Sequence, residues 1–327
     1  MANAGLNVRL SGVGSCLPER VLSNSDLERI VDTTNEWILE RTGIRERRIA
    51  PDGVATSSLA TVAAQRALED AGLSPADVEL IVVGTITPDM VFPSTACLVQ
   101  RNLQASKAAA FDIGAACSGF IYGVTTAASM VSSGVYRNAL VIGADTLSRI
   151  TDWSDRATCV LFGDGAGAVV LEPGEGILAS CLGADGTGWD ALMQPAGGSL
   201  MPASHDTVDK KLHTIKMNGN QVFKFAVRAM DNAVATCLQK CGMTCDDVSL
   251  LIPHQANTRI IESAAARLKI PMERVAVNID RYGNMSSASI PVALDESIRS
   301  GRLNRGDVGV MVAFGGGLTW GAAAFRW

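Results

Sequence analysis

Short, almost uninterrupted apolar runs alternate along the chain with longer stretches of helical periodicity. The runs at 80–84, 109–113, 139–143, 167–171, 250–253, 275–279 and 308–314 read as strands. Their lack of polar alternation predicts a sheet covered on both faces. The stretches 24–31, 57–71, 117–133, 220–241, 257–268 and 287–300 read as helices, with Ser23, Asn24 and Ser287 as capping signals at their starts. The alternation predicts an α/β fold.

The pattern repeats. Leu68, Gly72, Asp77, Val78 and Leu80 fall without gaps on Leu238, Gly242, Asp247, Val248 and Leu250. Each copy reads as helix, glycine cap, acidic turn and hydrophobic strand. Further on, Ser133 and Gly134 ahead of one strand correspond to Ser300 and Gly301 ahead of another. Two matches in order, about half a chain apart, point to a duplicated α/β unit with halves at 1–174 and 175–327. Segment 109–117 then corresponds to 275–284. Strand ends in such sheets meet and collect ligands, so Cys117, Asn284 and the strand-end His254 are expected in one region.

Composition adds exclusions. With 47% hydrophobic and 19% charged residues over 327 positions, the chain can bury a large core. A net charge of −5 gives no reason to expect nucleic acid or an anionic membrane as partner. Residues 1–10 lack a signal-peptide core and a strand-like stretch follows at once. No apolar run approaches the roughly 20 residues of a membrane helix. The reading is a soluble cytoplasmic protein, its eight cysteines reduced.

Cys117 stands between an apolar strand and a helix rich in small residues, where free N–H groups and the helix dipole favour a thiolate. A buried structural cysteine is the competing reading. His254 follows the strand 250–253, where a hydrogen-bonded structural histidine is common. Asn284 lies in a turn, where Asn often caps. His205 and His213 look like loop residues without a role. The glycines at 163–167 precede a strand, the wrong order for a dinucleotide fingerprint. Gly315 to Gly317 follow a strand and form either a tight turn or an oxyanion donor. Cys237, Cys241 and Cys245 lack a fourth ligand, so no metal is expected.

Together, Ala115 to Phe120, His254 to Asn257, Gly283 with Asn284, and Ala313 to Gly317 with Trp320 and Gly321 resemble the β-ketoacyl-acyl carrier protein synthase III family. The resemblance covers Gly12 to Trp327, and Asp32, Thr33, Glu36, Trp37 and 41–45 fit it too. It implies a thiolase-like fold, a duplicated α/β unit in a five-layer αβαβα arrangement, and a homodimer. It implies condensation of an acyl-CoA with malonyl-acyl carrier protein, initiating fatty acid synthesis without cofactor or metal. In that scheme Cys117 carries the acyl group, backbone N–H groups of Cys117 and Gly316 hold the oxyanion, and His254 and Asn284 serve decarboxylation.

By position, the resemblance assigns Trp37 and Arg156 to stack the adenine of coenzyme A. It assigns Thr33, Arg41, Gly219, Phe223, Ala256 and Asn257 to the pantetheine tunnel. Arg259, with Lys224 and Arg267, would meet the acidic carrier protein, and Phe92 would close the partner subunit's acyl pocket. Two departures stand out: Ala157 replaces a glycine, and 199–212 is longer than in some relatives. The alternatives are a related condensing enzyme of secondary metabolism and a non-catalytic acyl-CoA-binding protein.

Overall fold

The computed structural model describes residues 6–327. Two sheets organise it. The first runs in the spatial order Val8–Cys16, Asp164–Pro173, Ala139–Thr146, Leu80–Gly84, Ala109–Ile113. Its last three strands are parallel, and Asp164–Pro173 is antiparallel to both neighbours. The second runs Ile177–Ala184, Thr319–Arg326, Val308–Gly315, Leu250–Pro253, with the same directions position for position.

A fifth strand is missing from the second sheet. The expected strand at 275–279 is reduced to one parallel bridge between Leu251 and Val275. The Gln255 side chain replaces the ladder. Its Nε2 donates to the Ala276 carbonyl at 3.0 Å, and its Oε1 accepts from the Asn278 and Ile279 N–H groups at 3.0 and 3.2 Å. The chain turns directly into the helix Ile279–Tyr282.

Helices fill three layers. Thr56–Ala71 and Thr95–Leu103 pack on the outer face of the first sheet, and Gly219–Lys240 and Thr258–Leu268 on that of the second. Gly119–Ser132 and Ser289–Arg299 lie between the sheets, their apolar residues sharing one core with Val82, Val141, Ile252 and Met311. This is the αβαβα arrangement of a thiolase-like fold. Gly119–Ser132 carries no charged residue, as suits a helix covered all round.

The repeat in the sequence has its counterpart in space. Gly72 and Gly242 cap their helices at φ 70° and 69°, where a residue with a Cβ would be strained. Asp77 and Asp247 then accept from the Ser74 and Thr244 N–H groups at 3.0 and 2.8 Å, closing equivalent turns.

Other boundaries moved. The expected helix at 24–31 holds α geometry only over Asn24–Leu27, after which the Arg29 and Ile30 N–H groups bond three residues back. The helices Asn35–Thr42 and Thr95–Leu103 and the strands Ile177–Ala184 and Thr319–Arg326 carried too little periodicity to be read in advance.

Candidate active site

The strand Ala109–Ile113 ends in a 3₁₀ turn, Ala116–Ser118, and only then does the helix Gly119–Ser132 begin. Cys117 sits in that turn, not in the α-helix itself, with 7% of its surface exposed. Burial pushes its thiol up to about 12, and the Asp145 charge adds to the shift. Burial thus works against the thiolate that the helix terminus was expected to favour.

The end of Val308–Gly315 presses on this turn. A Cβ at Gly315 would stand 2.6 Å from the Cys117 nitrogen, so only glycine permits the approach. Thr319 Oγ1 donates to the Ala115 carbonyl at 2.9 Å and Ser118 Oγ to the Thr319 carbonyl at 3.2 Å, tying the two segments together. Gly317, at φ 71°, makes the tight turn between them, and Gly316 stands beside Cys117 in a cavity wall.

His254 follows Leu250–Pro253, and its N–H donates to the Val312 carbonyl at 2.8 Å. Its Nδ1 lies 2.6 Å from Ser289 Oγ, and its ring meets Phe314 edge-on at 5.6 Å. Burial pulls its pKa down to about 3, which keeps the imidazole neutral. With Nδ1 facing Ser289, Nε2 is the nitrogen left for a ligand. Asn284 is fixed through its backbone to Leu161 and Gly163 at 2.8 and 2.9 Å. Its Oδ1 accepts from the Ser286 N–H at 2.8 Å, leaving Nδ2 to donate elsewhere.

Cys117, His254 and Asn284 line one tunnel of about 300 Å³. Beyond Cys117 lies a second, apolar cavity of about 260 Å³ walled by Ile86, Leu147, Ile150, Phe162, Leu192 and Ile215. Cys117, Phe162 and Leu192 belong to both. The sulfur thus stands where an entry channel meets a hydrophobic pocket. A larger concavity, about 870 Å³ around Arg66, Arg281 and Asp295, contains none of the three residues. Two of its ion pairs are already closed, Arg299 with Asp295 at 2.7 Å and Arg281 with Glu296 at 2.9 Å.

Of the residues expected along the tunnel, Arg41, Gly219, Phe223, Ala256 and Asn257 line it, and so do Trp37, expected at the adenine, Arg259, expected at the carrier protein, and Ala157. Asn257 also caps the helix Thr258–Leu268 and donates to the Arg41 carbonyl at 2.8 Å. Thr33 is absent from the lining, and its buried Oγ1 has no partner. The slot expected between Trp37 and Arg156 is closed, because the Arg156 guanidinium rests on the Trp37 ring at 4.6 Å and donates to the Asp32 carbonyl.

Lys224 is exposed on Gly219–Lys240, outside the lining, and Arg267 is engaged with Asp231 at 2.7 Å. Phe92 is 84% exposed and lines neither cavity of its own chain. His205 opens the short helix His205–Asp209 and is not in a loop, while His213 pairs with Thr207 Oγ1 at 3.0 Å.

Three residues of the site were not singled out from the sequence. Ser289 and Ser286 sit in a serine run that signals only a helix start, and Asp145 ends an otherwise apolar strand. A lone acid in such a strand was the available signal.

Comparison with known proteins identifies the family. The family model for 3-oxoacyl-[acyl-carrier-protein] synthase III matches residues 111–186, and the model for the C-terminal part of that family matches 238–327. A β-ketoacyl-[acyl-carrier-protein] synthase III of Caldanaerobacter subterraneus is 60% identical over 319 residues, covering 97% of this chain and 96% of the relative. The crystal structure of 3-oxoacyl-[acyl-carrier-protein] synthase III from Aquifex aeolicus is 50% identical with a TM-score of 0.91, covering 98% of this chain and all of that one (100%). A priming β-ketosynthase of the R1128 polyketide pathway is 37% identical with a TM-score of 0.92, over 99% of this chain and 97% of that one.

Proposed function

The chain belongs to the 3-oxoacyl-[acyl-carrier-protein] synthase III family, and from that premise we propose how its own residues perform the condensation. It is an acyltransferase that joins an acyl-CoA primer to malonyl-acyl carrier protein with loss of carbon dioxide, initiating fatty acid synthesis. The observation that carries the residue assignment is the position of Cys117 at the junction of tunnel and apolar cavity, with His254 and Asn284 in the same tunnel.

Pantetheine enters along Arg41, Gly219, Phe223, Ala256 and Asn257, and Arg156 must lift from Trp37 to admit the adenine. Thr33 belongs to the outer contact. Cys117 attacks the thioester carbonyl, the acyl chain passes into the apolar cavity, and coenzyme A leaves. The Cys117 and Gly316 N–H groups hold the oxyanion, each worth about 3 kcal/mol in comparable sites. Malonyl-acyl carrier protein follows, and His254 Nε2–H and Asn284 Nδ2–H donate to its thioester oxygen as the carboxylate departs. That tautomer requires Nδ1 to accept, so Ser289 donates to it. The carbanion then attacks the acyl group and Cys117 leaves. Two thioester steps replace one difficult step.

The halves 1–174 and 175–327 each contribute one side of the centre. The exposed Met90, Val91 and Phe92 support a homodimer in which Phe92 closes the partner's pocket. Arg259, Lys224 and Arg267 form the docking patch for the acidic carrier protein, Arg267 exchanging Asp231 for it. No helix among the described residues is long and apolar enough to cross a membrane, in keeping with a cytoplasmic site of action.

The polyketide priming reading rests on a relative at 37% identity against 60% for the fatty acid enzyme, so the latter is preferred. Intact-mass measurement after incubation with short acyl-CoAs tests the reading. The wild type should gain one acyl group and Cys117→Ala none. An adduct that survives Cys117→Ala, or no adduct with any short primer, would overturn it.

A further inference from the structure

The short strand Glu46–Arg48 pairs with Val21–Ser23, and its middle residue, Arg47, is 0% exposed. A guanidinium stays charged when buried, and taking it out of water is costly unless its donors are met. Its Nη1 donates to the Leu22 carbonyl at 3.1 Å and to Asn24 Oδ1 at 2.9 Å, and its Nη2 to the Val160 carbonyl at 2.8 Å. All three acceptors are neutral, and Nε has no partner among the described residues. A buried ion without a counter-charge is a poor source of stability, so what it orients becomes the question.

What it orients is the support of Asn284. Val160 ends the short helix Arg156–Cys159, and the chain then runs beside Asn284, bridged at Phe162. The Leu161 carbonyl accepts from the Asn284 N–H at 2.8 Å, and the Gly163 N–H donates to the Asn284 carbonyl at 2.9 Å. The Arg47 stem packs against this same crossing: a Cβ added to Gly163 would stand 3.2 Å from Arg47 Cβ, and one added to Gly283 3.1 Å. Arg47 thus holds Val160 with its head and meets Gly163 and Gly283 with its stem. The other two residues of the centre have separate anchors. His254 is fixed by the Val312 carbonyl and Ser289 Oγ, and the turn carrying Cys117 is tied to Thr319.

We propose that Arg47 is a positioning residue for decarboxylation: its three hydrogen bonds fix the segment 160–163 and so aim the Asn284 Nδ2–H at the thioester oxygen. The inference rests on Asn284 serving that step. No bond is made or broken at Arg47. A lysine there keeps the charge but lacks the planar fork that reaches three acceptors at once. A methionine fills much of the same volume without a charge, a change that buried ions often tolerate, and so guards against a folding defect in the lysine variant.

Two half-reactions of the full-length protein separate positioning from support of the fold. Arg47→Lys and Arg47→Met should each decarboxylate malonyl-acyl carrier protein without primer at least about 10-fold more slowly than wild type, as displacement of a hydrogen-bond donor predicts. Single-turnover acylation of Cys117 by acetyl-CoA, which does not call on Asn284, should stay within about threefold. In an Asn284→Ala background Arg47→Lys should change decarboxylation by no more than about twofold, because the group it positions is gone. Equal losses in both half-reactions, an undiminished effect in the Asn284→Ala background, or failure of both Arg47 variants to fold would make Arg47 a scaffold residue and overturn the inference. Wild-type decarboxylation in both Arg47 variants, with a loss in Asn284→Ala, would sink the inference alone. Undiminished decarboxylation in Asn284→Ala itself would sink the role given to Asn284, and the inference with it.

Discussion

Replacing Gly315 with alanine tests how closely the strand end must approach the nucleophile. The Gly315 backbone is extended, at φ −166°, so alanine meets no backbone strain and the perturbation is steric. The new Cβ would lie 2.6 Å from the Cys117 nitrogen and 3.1 Å from its Cβ. Ordinary contact begins at about 3.5 Å, so one backbone must retreat by about 0.9 Å. A shift of about 1 Å in a reacting geometry lowers rates on the order of 100-fold, or about 2.7 kcal/mol of barrier. Overpacking also lowers stability by about 1–3 kcal/mol, so the two effects must be measured apart.

Single-turnover acylation by acetyl-CoA, quenched and read by intact mass, gives the first, and a urea titration at the same temperature gives the second. Gly316→Ala should do less harm, since its Cβ would meet the Leu192 carbonyl at 3.0 Å and the Ala116 Cβ at 3.5 Å. Gly114→Ala, with nothing within 4 Å, serves as the control and should stay within about twofold. Folded Gly315→Ala protein that acylates within about threefold of wild type would refute the reasoning. So would equal damage from Gly114→Ala.

Other outcomes follow from the same geometry. Ser289→Ala frees His254 Nδ1, so decarboxylation should fall by about 10-fold while acylation of Cys117 is spared; equal losses would mean that Ser289 only supports the fold. His254 titrates near 6.5 when unfolded and at about 3 when folded, so between those values the unfolded chain binds the extra proton and stability rises with pH. Its contribution should be full above about pH 6.5 and lost toward pH 3, seen as a urea midpoint that falls more steeply for wild type than for His254→Gln. Phe92→Asp, at an exposed position, should leave the fold intact and move sedimentation from dimer to monomer; an unchanged dimer would refute the assignment of that loop.

The duplicated α/β unit was legible because its signals are local, whereas its layering was implied by the family resemblance. Glycine caps at 72 and 242 and acidic turns at 77 and 247 depend on backbone conformation within a few residues, and the apolar runs on burial alone. The strand at 275–279 misled for the opposite reason: its apolar residues are buried, but a side chain from Gln255 satisfies the backbone that a strand would have paired. Cys117 and His254 could be picked out as strand-end residues and Asn284 as a turn residue, while their roles came from the family resemblance.

The groups that set their chemistry were not legible, because each acts over a long sequence separation. Ser289 reaches His254 across 35 positions and Asp145 reaches Ser287 across 142. The duplication explains why they meet. In each half a 3₁₀ turn opens on a residue of positive φ, Ala116 at 46° and Ser286 at 48°, before its central helix. Cys117 is therefore equivalent to Ser287, not to Asn284 as the alignment of 109–117 with 275–284 had it, and the packing that brings the turns together sets the second copy's serines against the first copy's nucleophile. The elbow that exposes a sulfur in one half presents hydroxyl and N–H groups in the other. The pairing that sets Ser286 beside Cys117 in one cavity wall is thus a product of the internal symmetry, and the symmetry was what the sequence made visible.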